Sequence, residues 1–411
     1  MEEYGKRIIP LTRPYFGQEE YQNVEQVLKS GWVAQGLRVA EFEQLIAAHE
    51  ESSYAIAVSS CTTALHLALL AHGIGPGMDV IAPSFTFVAT ANAIEYTGAT
   101  AVLADIRPNT FNIDPDSIRA IIHKCYHWDQ KREILVHNET RNQLKALMPV
   151  HQFGLCADMP EIMNLAEKYH LAVIEDAACA LGARIEGVHQ GKFGNIRCVS
   201  FHPRKCITTG EGGMLLTDSE EFGKKLKALR SHCATQSEVS RHTKHMGFLM
   251  PEYPEVGYNY RMSDIQAAVG CAQAKKLDDI LEKRKKAAKN YDELLTGFGW
   301  LKIPVVPEGY HHTYQSYVCM MDFSGLSIEK MNEKRNRIMT FLEERGIQTR
   351  QGTHAVHMLG YYKGKYGYKD EDLIHSYRAD RLSIALPLYA DISLEDQKYV
   401  VEMLAEGNRK S

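Results

Sequence analysis

No apolar stretch of this sequence approaches the length needed to cross a bilayer, which excludes a helical membrane span. Neither sign of charge is in large excess: 47 Lys and Arg face 51 Asp and Glu, a net charge of −4. That balance implies no general affinity for nucleic acid or for an anionic membrane. Paired cysteine spacing is missing. The nine cysteines are scattered and odd in number, which fits reduced thiols in a cytoplasm better than a disulfide framework. The opening "MEEYGKRIIP" lacks the charged-then-apolar pattern of a secretion signal. Internal repeats and low-complexity segments are absent as well.

Several chemical motifs are also wanting. "GIGPGMD" at 73–79 follows a helical pattern and precedes a strand, so it is a turn and not a dinucleotide loop. "GVHQGK" at 187–192 is one residue short of a Walker loop and has no Ser or Thr after it. No GxSxG elbow occurs. His123 and His127 would fall one helical turn apart, but no third spaced ligand accompanies them, so no metal site is expected. The basic run "EKRKKAAKN" at 282–290 reads as the solvated face of a helix.

What is present is a rhythm. Seven short apolar runs lie at 54–60, 79–85, 100–106, 146–152, 171–177, 198–202 and 212–218. Each has the length of a strand buried on both faces. Helical patterns such as "TTALHLALLAHG" (62–73) and "MPEIMNLAEKYH" (159–170) separate several of them. The alternation predicts an α/β fold with a mainly parallel, seven-stranded sheet wrapped by helices. Residues 123–144 are polar and break the rhythm; they read as an inserted loop or a surface helix extension. From 264 onward "DIQAAVGCAQAKKLDDILEKRKKAAKNYDELL" reads as one long helix. It leads into strand-like runs "QSYVCMMDF" and "RLSIALPL", an α+β pattern. The expected division is a large domain over 1–275 and a smaller C-terminal domain over 276–411.

Within this frame one residue calls for a chemical reason. In "SFHPRKCITTGEGGML" (200–215), Lys205 stands between a short apolar strand and a loop with three glycines. A desolvated lysine loses its charge and becomes a nucleophile toward carbonyls. The plainer alternative is an exposed loop lysine. Asp176 ends the run "LAVIED", where a parallel sheet presents its carboxyl edge and binding crevices form. A carboxylate there can hold a pyridine nitrogen protonated, as a pyridoxal phosphate ring requires. A helix N-cap is its alternative role. "SSCTTALHLAL" (59–69) leads from a strand into a helix, a setting suited to a phosphate, with Thr62 and Thr63 as hydroxyl donors. Phe87 in "PSFTF" is placed to stack on a flat cofactor, or simply to fill the core. Taken together, the order of phosphate helix, aromatic, Asp176, Ser200 and Lys205 along successive strands points to one pyridoxal phosphate site.

These residues carry a family resemblance. The pieces "APSFTFVATANAI", "IEDAACALGA", "SFHPRKCITTGEGGML" and "GYNYRMSDIQAAVG", in this order, resemble the DegT/StrS-type aminotransferases. The likeness runs from "LTRPYFGQEEYQNVEQVLKSGWVAQG" to "THAVHMLGYY" and "SIALPLY", nearly the whole chain. It implies a fold type I pyridoxal phosphate enzyme with active sites shared across a homodimer. The implied activity moves an amino group from glutamate or glutamine to the keto group of a nucleotide-linked sugar. By this resemblance Lys205 bonds the cofactor covalently, Asp176 meets the pyridine nitrogen and Phe87 stacks on the ring. Thr62, Thr63 and Ser200 hold the phosphate, and Asn259 reaches the phosphate of the partner subunit. Trp32 and His357 fall in segments that the family places near the sugar. Cys179 stands where the family often has a Gln or His-like contact to the cofactor's phenolic oxygen, and a thiol is the weaker donor. Cys61 stands where glycine is common. An aminotransferase acting on a non-sugar cyclic ketone is also compatible with these residues. A dehydratase of the same scaffold tends to replace the lysine, and a non-catalytic regulator would be expected to lose Lys205 or Asp176; both are present.

Overall fold

A computed structural model describes residues 7–189, 192–235 and 250–411. Each of the seven apolar runs forms a strand of one sheet: β1 (Tyr54–Val58), β2 (Met78–Pro83), β3 (Thr100–Ala104), β6 (Gln143–Leu147), β7 (Ala172–Asp176), β8 (Ile196–Ser200) and β9 (Gly213–Thr217). Their spatial order is β1-β9-β8-β7-β6-β2-β3. Neighbours are parallel from β8 to β3, whereas β9 runs antiparallel to both β8 and β1. β1 therefore points the same way as the parallel group. The carboxyl ends of six strands and the amino end of β9 meet at one edge.

The polar insertion differs from its expectation. Its first residues complete a helix, Pro115–Cys125. The rest forms a hairpin of β4 (Tyr126–Asp129) and β5 (Ile134–His137), and β5 pairs antiparallel with β6. The sheet thus has nine strands. The signal hidden in the sequence was a short apolar alternation, Ile134 to Val136, with Leu135 and Val136 buried. Tyr126 anchors the hairpin by donating to Asp79 Oδ2 at 2.7 Å.

Helices Cys61–Ala71, Ala89–Tyr96 and Glu220–Arg230 pack their apolar residues on one face of the sheet. Helix Met159–Lys168 and helix Pro115–Cys125 cover the other face beside β6 and β7. A separate core lies around a three-stranded sheet of Leu301–Lys302, Tyr317–Met321 and Ser383–Leu386, with helices Ile328–Glu343 and Leu394–Lys410. The long helical pattern is two helices, Asp264–Lys275 and Leu277–Leu294, broken at Lys276. Within the basic run Arg284 turns inward instead of facing solvent. Its guanidinium donates to the carbonyls of Tyr314, Gln315 and Leu388 at 2.9, 2.6 and 3.2 Å, tying the second helix to the segments beside the small sheet.

One buried ion pair fastens helix Leu37–His49 to the sheet. Arg197 of β8 donates to Glu50 Oε2 at 2.7 Å, and both side chains are almost fully buried. Glu50 Oε1 also accepts from Gly182 N at 2.9 Å. Removing one partner of such a pair strands the other charge away from water. Glu50→Ala is expected to lower the unfolding free energy by about 3–5 kcal/mol, read as a shift of the denaturant midpoint.

Candidate active site

At the shared sheet edge a cleft of about 370 Å³ opens, within the range of ligand pockets. Asp176, the last residue of β7, forms part of its floor. Its Oδ2 accepts from Thr90 Oγ1 at 2.8 Å and its Oδ1 from Ala178 N at 3.1 Å. Burial pushes this carboxyl above its ordinary pKa; Thr90, Ala178 N–H, Lys205 and His151 pull it back only in part. His151 lies behind it. Its Nδ1 accepts from Ala157 N at 3.0 Å, so Nε2 carries the proton and donates to Glu175 Oε2 at 2.8 Å.

Lys205 sits in a turn five residues past the end of β8 and faces the same cleft. Its Nζ donates to Cys179 Sγ at 3.1 Å. Burial alone would lower the lysine pKa, but Cys179, Cys61 and Asp176 outweigh it and the pKa is raised. The loss of charge expected from desolvation is thus reversed by the neighbouring sulfurs and carboxylate. The ammonium form is favoured, so the proton must leave as the amine bonds to a carbonyl.

The opposite end of the cleft is the start of helix Cys61–Ala71. Ser60 caps it, its Oγ accepting from Thr63 N at 3.2 Å. The Thr63 hydroxyl donates to Ser60 O at 2.7 Å, so it shapes the turn and does not line the cleft. Thr62, Cys61 and Ser200 do line it. Gly213 lets β9 pass this turn: a Cβ there would lie 2.4 Å from Ser60 C and 2.5 Å from Cys61 N. Backbone atoms cannot yield as a flexible side chain can, so the close approach requires glycine.

Phe87 is 54% exposed, and its ring borders the cleft. The remaining expected residues stand apart from this lining. His357 is fully buried; its Nδ1 meets Ser84 Oγ at 2.7 Å and its Nε2 meets Asp370 O at 3.1 Å. Trp32 donates through Nε1 to Gln35 O at 3.2 Å, within the loop that Asp264 ties to the next helix through Gly36 N at 2.7 Å. Asn259 is exposed, its backbone bridged to Ser231. Thr90 and Thr86, whose hydroxyls lie 3.0 Å apart, escaped the sequence reading. The signal was "TFVATAN", a threonine one turn past the aromatic residue.

The chain carries the features of the DegT/DnrJ/EryC1/StrS aminotransferase family model over residues 14–405. It belongs to that family. Over 399 residues it is 36% identical to the spore coat polysaccharide biosynthesis protein SpsC of Bacillus subtilis, covering 97% of this chain and 96% of that one. It is 33% identical to GDP-perosamine synthase of Caulobacter vibrioides, covering 96% and 97%. Among solved structures, the sugar aminotransferase Spr1654 of Streptococcus pneumoniae, solved in PMP and PLP forms, superposes with a TM-score of 0.86 in its PMP form. That match has 25% identity and covers 98% of this chain and 99% of that one. PseC of Helicobacter pylori, an aminotransferase of pseudoaminic acid biosynthesis, gives 0.85 at 25% identity, covering 98% and 100%. The protein is thus a fold type I aminotransferase whose cofactor is pyridoxal phosphate.

The residues present fit that group. The capped helix start and the bare glycine face of β9 leave room for a phosphate. A buried carboxylate lies on the floor and a lysine in the same cleft. Gly213→Ala is expected to weaken pyridoxal phosphate retention at least tenfold, because the added methyl displaces the turn. Absorbance titration of the apoprotein with the cofactor measures this.

Proposed function

We propose that this enzyme moves an amino group from glutamate or glutamine to the keto carbon of a nucleotide-linked keto-deoxy sugar, for amino-sugar biosynthesis. The observation that carries the reading is the convergence of Lys205 and Asp176 in one cleft at the carboxyl edge of the sheet. The sugar assignment is supported by the relatives, which include a polysaccharide biosynthesis protein and GDP-perosamine synthase. The bound cofactor supplies an electron sink for the negative charge that develops at the donor's α-carbon.

The chain's own residues do the rest. Asp176 holds a proton on the ring nitrogen. Thr90 and the Ala178 N–H fix that carboxylate in place. Thr62 and Ser200 hold the phosphate at the capped helix, with Thr63 setting the turn. Phe87 covers the ring, and Cys179 stands beside Lys205. Lys205 Nζ takes the proton from the donor's α-carbon and, in the second half of the cycle, gives a proton to the carbon that was the ketone. Ping-pong kinetics follow. In this reading residues 1–275 and 276–411 are the two domains, and a cytoplasmic homodimer completes each site with Asn259 of the partner subunit. Trp32 and His357 shape the sugar side through their loops.

Purified enzyme is expected to be yellow and to bleach on addition of glutamate. Lys205→Ala should lose bleaching and all turnover, and retained transamination would contradict the role given to it. A panel of nucleotide-linked keto sugars against free cyclic ketones tests the acceptor. Turnover confined to the cyclic ketones would overturn the sugar assignment.

A further inference from the structure

Two arginines share the cleft with Lys205. Arg204 precedes it in the chain. Arg350 arrives from the segment before strand His354–Ala355, which pairs with Phe85–Thr86. Elsewhere, arginines of this protein meet carboxylates: Arg107 on Asp158, Arg38 on Glu41, Arg197 on Glu50. Among the described residues neither cleft guanidinium has such a partner.

Their backbones are nonetheless fixed. Arg204 N donates to His202 Nδ1 at 3.2 Å, and Arg204 O accepts from Gln315 Nε2 at 2.6 Å. Arg350 exchanges backbone hydrogen bonds with Ala385 at 3.4 and 2.6 Å. The two cations repel: burial and the Arg350 charge hold Arg204 below its ordinary pKa. The cleft carboxylates do not relieve this. Asp176 is committed to Thr90 and Ala178 N, and Glu211 acts on His202. Fixed, unpaired, mutually repelling guanidiniums in a concave site favour a bound anion.

The position says which anion. Cys179, hydrogen-bonded to Lys205 Nζ, also lies within the electrostatic reach of Arg204. The donor's α-carbon must come to Lys205 Nζ, and its α-carboxylate is one bond away. The diphosphate of a sugar nucleotide is held off from the reacting keto carbon by the sugar ring. Two cations are neutralised by two carboxylates better than by one. Resting on the transamination reading above, we propose that Arg204 and Arg350 form the anion subsite for the amino donor and select a dicarboxylic donor of the glutamate type over its amide.

The test uses the holoenzyme and its Arg204→Gln, Arg350→Gln and Arg350→Lys variants. Binding of glutarate, a dicarboxylate with no amine to react, is measured by calorimetry, and binding of uridine diphosphate in parallel. The expected result is a loss of glutarate affinity of at least tenfold in each Gln variant, a smaller loss in Arg350→Lys, and unchanged uridine diphosphate binding. In bleaching titrations the half-saturating glutamate should rise at least tenfold while that for glutamine moves less than threefold. Unchanged glutarate affinity in both Gln variants would overturn the proposal. So would a loss confined to uridine diphosphate, which would assign the pair to the acceptor's phosphates. Failure of the wild type to bleach with any amino acid would instead overturn the transamination reading, since glutarate binding reports on the subsite without chemistry.

Discussion

A carboxylate buried at the end of a parallel strand is the constraint around which this site is organised. Desolvation works against the charge on Asp176, and the protein answers with directed donors. Oδ2 takes a hydroxyl from Thr90 and Oδ1 a backbone N–H from Ala178. Thr90 is in turn held by Thr86, and Thr86 pairs with His354. The carboxylate is therefore linked through two hydroxyls to the strand that follows Arg350. The floor of the cleft and its far wall are parts of one hydrogen-bonded path.

The sheet topology brings the other groups to that carboxylate. Because β9 runs against its neighbours, its first residues lie at the same edge as the last residues of β1 and β8. This places Gly212 and Gly213 beside the capped helix start, where a side chain has no room. It also lets the turn after β8 carry Arg204 and Lys205 across the mouth of the same crevice. Charges of both signs collect there without neutralising one another internally, which is the preorganisation that proton transfer between a small amine and a ketone demands.

Much of this was legible because the relevant signals are local. Two-sided strands read as continuous apolar runs, and all seven gave strands within a few residues of their expected positions. The chain order of Thr62, Asp176, Ser200 and Lys205 was sufficient to place them on one edge, since parallel strands end together. Other features depend on distant partners and left no trace. The hairpin at 126–137 is held by Tyr126 on Asp79, a contact across 47 positions. Arg284 looked like part of a wet basic face, yet three carbonyls from the next domain draw it inward. The lysine's environment was misjudged in sign, because the sulfurs of Cys179 and Cys61 come from separate elements and exceed the effect of burial. His357 presents no atom to the cleft, as Ser84 and the Asp370 carbonyl engage both ring nitrogens.

The central claim is that Asp176 makes the ring nitrogen an electron sink while the helix start and glycine face bind the cofactor. Asp176→Asn separates the two, since the amide keeps the shape but cannot hold the nitrogen protonated. Stopped-flow bleaching of the cofactor-loaded variant by glutamate is the direct measurement. The account predicts retained cofactor and a bleaching rate reduced by about a thousandfold, on the order of 4 kcal/mol in the barrier. Retained cofactor with a rate close to that of the wild type would contradict it.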